Sequence, residues 1–297
     1  MGVIRLGTAS WADRQLLASG WYPRVARTAA QRLAYYAMNF DIVEADTSYY
    51  AIPAAEMTEG WAAATPDGFT FDVKAYALLT GHPTRANTLP PDLRPEGATG
   101  TLRRSDLPAE TIDELWRRFH AALEPLRGRL GTELLQFPPW LAAGDAAVRR
   151  IEDTIARTRP LRPAVELRHG SWFAGPQRSL DTLLMLQRAG ASFVAVDMPQ
   201  GFPSSVPPVL AVTASPAVVR FHGHSSNWER GSKEDKFRYA YSERELADWA
   251  ERLRMLSKDA DEVHVLMNTC CAGQAQRDAA RLAELLGIDP PGLRLTA

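Results

Sequence analysis

Cysteine is nearly absent from the 297-residue chain: there are two, Cys270 and Cys271, and they are adjacent. Sequence neighbours make no ordinary structural disulfide and match no zinc spacing, so neither a disulfide framework nor a zinc module organises the fold. A dominant charge is also missing, because 34 Lys and Arg stand against 35 Asp and Glu, a net charge of −1. Such a chain has no overall basic field to gather nucleic acid from a distance, although a local basic patch stays open. No stretch approaches the ~20 apolar residues that a bilayer-spanning helix needs. Met1 runs almost at once into Val3-Ile4-Arg5-Leu6, without the charged leader, apolar region and cleavage site of a secretory signal. Gly2 would suit myristoylation, but Leu6 stands where Ser or Thr is expected. A cytoplasmic protein with no membrane contact is therefore expected. No glycine-rich dinucleotide fingerprint follows the first strand candidate.

What is present is the composition of a globular protein with a substantial core, 45% hydrophobic and 23% charged. Period and punctuation give eight strand candidates: Val3–Ser10, the stretch around Glu44, Gly68–Tyr76, Glu133–Phe137, Ala164–Arg168, Ser192–Asp197, Ala217–His222 and Glu262–Met267. Helical spacing follows most of them, over Thr28–Phe40, Ala54–Ala64, Ala109–Arg127, Asp145–Arg157, Ser179–Arg188, Glu243–Ser257 and Gln276–Leu286. Ser242 and Glu245 read as a capping box. The proline-rich connection Met198–Pro216 shows no helix, so the sixth unit is degenerate, and a long segment, Thr80–Pro108, follows strand three. Alternating strands and helices imply a parallel sheet with right-handed crossovers, and this number of units in this length predicts one (β/α)8 TIM-type barrel domain over residues 1–297.

Helices would cover the outside, so the apolar strand faces, such as Val43, Ala45, Phe71, Val73, Val165, Leu167, Val219 and Phe221, should point outward. The opposite faces then aim Glu44, Asp46, Asp72, Lys74, Glu166, Arg168, Asp197, Arg220, His222 and Asn268 into the barrel, with Gln136 and His169 at its C-terminal rim. Any one of these is as readily half of an internal ion pair, Glu44 with Arg168 or Asp72 with Lys74, as a site residue. Burying so many charges together is costly, so the set as a whole points to a site. Glu44, Asp46, Asp72, Glu166 and Asp197 exceed Lys74, Arg168 and Arg220 by two formal charges, which a divalent metal, protonated histidines or raised carboxyl pKa values could meet. The neighbouring cations compete with a metal, and His222-Gly223-His224 is the single suggestive histidine spacing. The three cations suit phosphate or carboxylate. Trp11, Trp21, Tyr49, Tyr50, Trp172, Trp228 and Tyr239 lie near the rim as core or as stacking surfaces, His82 sits in the long segment, and His120 and His264 read as structural.

The motifs resemble the domain-of-unknown-function family 72, the YecE-like proteins. The likeness is carried by Gly7-Thr8-Ala9-Ser10-Trp11, Val43-Glu44-Ala45-Asp46-Thr47-Ser48-Tyr49-Tyr50, Phe71-Asp72-Val73-Lys74 and Gln136-Phe137-Pro138-Pro139. It continues through Ala164-Val165-Glu166-Leu167-Arg168-His169, Ser171-Trp172, Asp197-Met198-Pro199, Val219-Arg220-Phe221-His222-Gly223 and the Asn268 region, and so spans nearly the whole chain. The chain departs from the family pattern at Thr269, Cys271 and Asp278, where Asn, a bulky aromatic and Asn are usual. The resemblance implies the barrel fold and no particular reaction.

Three functional readings follow. The first is an enzyme for a small phosphorylated or nucleotide-like anion held on Lys74, Arg168 and Arg220. Glu166 would act as acid or base, His169 or His222 as proton shuttle, and Glu44, Asp46 and Asp197 as orienting groups. Lys74 and Asp197 count with Glu166 and His169 as catalytic candidates; Glu44, Asp46, Asp72, Gln136, Arg168, Trp172, Arg220, His222 and Asn268 count as substrate contacts. The second is a metal-dependent phosphoesterase on nucleic acid, drawing ligands from Glu44, Asp46, Glu166, Asp197, His169 and His222. The third is a non-catalytic nucleotide or nucleic-acid binding module. No cofactor is expected, a divalent metal stays possible, and the oligomeric state is left open.

Overall fold

The computed structural model describes residues 1–269 and 272–294, so the adjacent cysteines Cys270 and Cys271 lie outside the described residues. Eight parallel strands close into a barrel: β1 Val3–Ala9, β2 Ile42–Ala45, β3 Thr70–Lys74, β4 Leu130–Gln136, β5 Pro163–Glu166, β6 Ser192–Asp197, β7 Ala217–Phe221 and β8 Glu262–Met267. Each pairs with its neighbour in sequence, and β8 returns to β1. The outer helices are α1 Ala29–Asn39, α2 Ala55–Ala63, α3 Ala109–Leu123, α4 Asp145–Thr158, α5 Pro176–Ala189, α6 Glu243–Leu256 and α7 Gln274–Leu286. Capping boxes start two of them: Thr28 with Gln31 opens α1, and Ser242 with Glu245 opens α6. Among the described residues no helix is long and apolar enough to cross a membrane.

The outward strand faces pack on the helices as their alternation requires. Phe221 of β7 meets Trp249 of α6 edge to face at 4.8 Å, and Phe71 of β3 stacks on Trp61 of α2 at 6.0 Å. On β4 a carboxylate interrupts this layer. Glu133 of β4 is buried on the outward face, where its Oε2 meets His120 Nε2 of α3 at 3.0 Å.

Two connections depart from the plain repeat. Residues 198–216 carry no helix, because Pro199, Pro203, Pro207 and Pro208 remove donors and fix the backbone. The Gly170 N–H instead bonds the Pro203 carbonyl at 3.0 Å, tying that connection to the turn after β5. The long segment after β3 is built rather than structureless: an antiparallel ribbon pairs Thr84–Arg85 with Thr101–Leu102, and short 3-10 turns flank it. Asp92 fixes it to Arg118 of α3.

At the N-terminal end of the barrel Asp72 of β3 meets His264 of β8. His264 Nδ1 lies 2.9 Å from Asp72 Oδ2, and the Thr132 N–H donates to Asp72 Oδ1 at 2.8 Å. Gly131 makes room for this pair, since a Cβ there would sit 2.4 Å from Asp72 Oδ1.

Candidate functional site

Arg220 of β7 organises the barrel interior. It is 1% exposed and forks onto Glu44 of β2, with Nε donating to Oε2 at 2.8 Å and Nη2 to Oε1 at 2.7 Å. Its remaining Nη1 donates to Glu166 Oε2 of β5, and the other Glu166 oxygen takes Arg168 Nη1 at 2.8 Å. A planar guanidinium between two carboxylates satisfies charge and hydrogen bonds at once, which is what burial of such a network requires.

Above this network stands a second tier. Lys74, which ends β3, donates to Gln136 Oε1 at 2.9 Å and lies over the Tyr49 ring at 4.4 Å. Arg168 sits 5.0 Å from the Trp228 ring, and among the described residues its buried Nε has no hydrogen-bond partner. His222, fully buried beside Trp228 and Phe237, accepts at Nδ1 from the Asn268 amide at 2.9 Å. That bond places the imidazole proton on Nε2, which lies 3.4 Å from Glu166 Oε1. Asp46 stands just before the turn Thr47–Tyr49 and acts on the charges of both Glu44 and Lys74.

The electrostatics separate these groups. Burial pushes Glu166 up, but Arg220, His222 and Arg168 outweigh it and hold the carboxyl well below its ordinary value. Burial lifts Glu44 above the usual carboxylate range despite Arg220 and Lys74. Lys74 is pushed down to about 8, first by burial and then by Arg220, with Glu44 and Glu166 opposing. His222 is depressed to about 4, chiefly by burial. His82 falls to about 3 for the same reason, helped by Lys74 and Arg168. Its ring packs against Tyr49 at 5.3 Å and Trp140 at 5.8 Å, so the long segment contributes one wall of the mouth.

Lys74, Gln136, Glu44, Glu166, Arg168, Arg220, His222 and Asn268 thus come together, with Asp46 beside them. Other residues singled out in the sequence do not join. Asp72 faces inward but lies at the opposite end, bound to His264. Asp197 leaves the outer face of β6 rather than the inner one: it is in register with Phe221, which packs on α6. Its carboxylate binds His224 Nε2 at 3.0 Å and the Tyr241 hydroxyl at 2.7 Å. His169 caps the short turn Gly170–Phe173 through Ser171. Trp172 is 2% exposed and donates to the Leu141 carbonyl, a packing role. With Asp72 and Asp197 partnered elsewhere, the apparent excess of negative charge at the mouth disappears: Glu44, Asp46 and Glu166 face Lys74, Arg168 and Arg220.

This donor set does not suit a metal, because guanidinium nitrogens occupy both oxygens of Glu44 and of Glu166. Among the described residues no group of His, Cys, Asp and Glu side chains is arranged to hold one. The network around Asp197 is not legible in the sequence, because it joins residues of separate elements. His224 Nδ1 also meets Glu245 at 3.2 Å, and Tyr239 donates to that carboxylate at 2.6 Å. The vicinal pattern His222-Gly223-His224 was its one visible trace. Asp278, where the chain departs from the family pattern, accepts from the Tyr241 N–H at 3.3 Å and the Gln274 amide at 2.7 Å.

The family profile described as "Protein of unknown function DUF72" matches residues 5–296. The Bacillus subtilis protein named UPF0759 protein YunF is 32% identical over 301 residues, covering 98% of this chain and 97% of its own. A DUF72 family protein from Enterococcus faecalis superposes with a TM-score of 0.79 at 26% identity, over 97% and 96% of the two chains. A second, from Thermotoga maritima, gives 0.74 at 28% identity, over 96% and 99%. A profile match from end to end, on a chain whose β2, β3, β5 and β7 motifs build one shared cluster, means that this protein belongs to the DUF72 family.

Proposed function

We propose that the barrel mouth binds a small phosphorylated or nucleotide-like anion on Lys74 and Arg168, and that Lys74 is the acid–base group of a reaction on it. The observation that carries this reading is the tiering of charge. Glu44 and Glu166 neutralise Arg220 below, while the Lys74 amine and the Arg168 guanidinium form the upper tier. An anion there would favour the charged form of Lys74, whose pKa burial depresses first and Arg220 second, and would give Arg168 Nε an acceptor.

This revises the role assigned to Glu166 from sequence. A carboxylate held well below its usual pKa, with an arginine on each oxygen, is suited to positioning Arg168 and Arg220 rather than to exchanging protons. Lys74, near 8, loses and regains its proton close to neutral pH. Gln136 orients the amine, and Asn268 holds the proton of neutral His222 toward Glu166.

The test is calorimetric titration with inorganic phosphate, sugar phosphates and nucleoside monophosphates. Lys74→Met and Arg168→Met should each lower affinity at least about tenfold, the worth of a charge-assisted hydrogen bond. If no anion of this panel binds, or both variants bind like the parent, the mouth is not an anion site. The kcat/KM of any turnover found should show a pH inflection near 8 that Lys74→Met removes. Tight binding without turnover across the panel would make the mouth a binding module instead.

A further inference from the structure

Beside the mouth, a cleft of about 1050 Å³ opens between α4 and the Arg103–Arg104 turn of the long segment. Arg103, Arg104, Arg149, Arg150 and Arg157 line it, against Asp153 as the one lining carboxylate. In a chain of net charge −1, that places a concentrated positive field in one confined space. Arg157 is answered by Asp113 at 2.5 Å and Asp153 at 3.2 Å, and Arg104 reaches Asp153 at 3.6 Å.

Arg150 is different. It is half-buried, and among the described residues its guanidinium has no hydrogen bond or ion pair. Burial and the neighbouring Arg104 both work against its charge. Its place is nevertheless reserved: a Cβ on Gly81 would fall 1.6 Å from Arg150 Nη2, and Gly81 adopts φ +91. A partly desolvated cation among cations is stabilised when an anion reaches it. Trp140, 62% exposed, stands on the same wall. A large exposed aromatic beside arginines is the pairing that stacks a ring while phosphates are held.

We propose that this cleft is a second ligand site, distinct from the barrel mouth, for a nucleoside di- or triphosphate whose phosphates lie on Arg104, Arg149 and Arg150 and whose base stacks on Trp140. A compact oligophosphate fits better than a nucleic-acid strand, because the basic residues fill one cleft and the rest of the chain adds no net positive charge to follow a long backbone. His82 links the two sites physically: it touches Trp140 on the cleft side and Tyr49, which lies under Lys74, on the mouth side.

The experiment is calorimetric titration of the full chain with adenosine triphosphate, inorganic triphosphate and a twelve-residue oligothymidylate, at low and at physiological salt. Adenosine triphosphate should bind more tightly than inorganic triphosphate and weaken as salt rises. The double variant R149Q/R150Q should lose at least tenfold in affinity for both triphosphates. Trp140→Ala should lose severalfold for the nucleotide alone, and both losses should persist in the Lys74→Met background, where the mouth no longer competes for the anion. Circular-dichroism melting shows whether each variant stays folded. The proposal is overturned by no binding of either triphosphate, or by R149Q/R150Q binding like the parent. Equal affinity for the two triphosphates, loss of binding in Lys74→Met, or preference for the oligothymidylate would overturn it equally. Because Lys74→Met separates mouth from cleft, this site can fail without bearing on the mouth reading, and the reverse.

Discussion

Arg220 shows how a single residue sets the character of the interior. Its Nε, Nη1 and Nη2 all donate to Glu44 and Glu166, so removing it strands buried Glu44 and leaves buried Glu166 with Arg168 alone. Arg220→Met should therefore cost about 3–5 kcal/mol, the usual penalty for breaking a buried pair from one side. Urea unfolding of the variant measures it, and an unchanged midpoint would mean that Glu44 and Glu166 take up protons and need no partner. The residue types of this cluster were legible in the sequence, because charges at period 2 in otherwise apolar strands are too costly to keep idle. Who pairs with whom was not. Glu44 meets Arg220 rather than Arg168 because that contact crosses the barrel lumen between strands far apart in the chain, and Lys74 turns to Gln136 on the adjacent strand β4 rather than to Asp72 on its own strand.

At the scale of elements, alternation gave the strands and helices their place within a few residues, yet the facing of β6 was lost. Ser192–Asp197 is apolar on both faces between its polar ends, so nothing in its own pattern says which side Asp197 takes. Only pairing with β7, which sets Asp197 beside Phe221, decides it. Depth was lost in the same way. Glu44 and Asp72 are register partners on β2 and β3, yet one binds Arg220 and the other His264. Tilt and stagger of closed strands create that offset, and they belong to the barrel rather than to any one segment. The floor pair makes β4 sensitive at Gly131. Gly131→Ala would drive a methyl to 2.4 Å from Asp72 Oδ1, with Thr70 and His264 also in contact. Overpacking of this kind costs about 1–3 kcal/mol, so the thermal midpoint should fall by several degrees. A midpoint equal to the parent's would show that the floor has slack the geometry does not suggest.

For the whole molecule, the histidines give stability a definite dependence on pH. His264 is buried; burial alone would depress it, but Asp72 and Glu262 outweigh that and raise its pKa above 6.5. His224 is raised too, first by its bond to Asp197. A histidine whose folded pKa exceeds its unfolded one stabilises fully below the unfolded value, and that contribution is lost as pH rises through the folded value. Glu44 and Glu133, raised by burial, act in the same direction, because each must ionise in a dry environment as pH climbs. Lys74 opposes them from about 8 upward, where the unfolded amine holds its proton longer than the folded one. His222 and His82, depressed to about 4 and about 3, act the other way, but only until the unfolded imidazole loses its proton just above pH 6.5. Stability should therefore decline from there to pH 8 and level off above that. Urea midpoints across this range measure the slope. His264→Gln should be less stable at pH 6.5 than the parent and should show a shallower decline, since it removes the group that carries part of the titration. A parent curve rising between pH 6.5 and 8, or a His264→Gln curve parallel to it, would mean that His264 is neutral in the fold and that Asp72 is held by Thr132 and its hydrogen bonds alone.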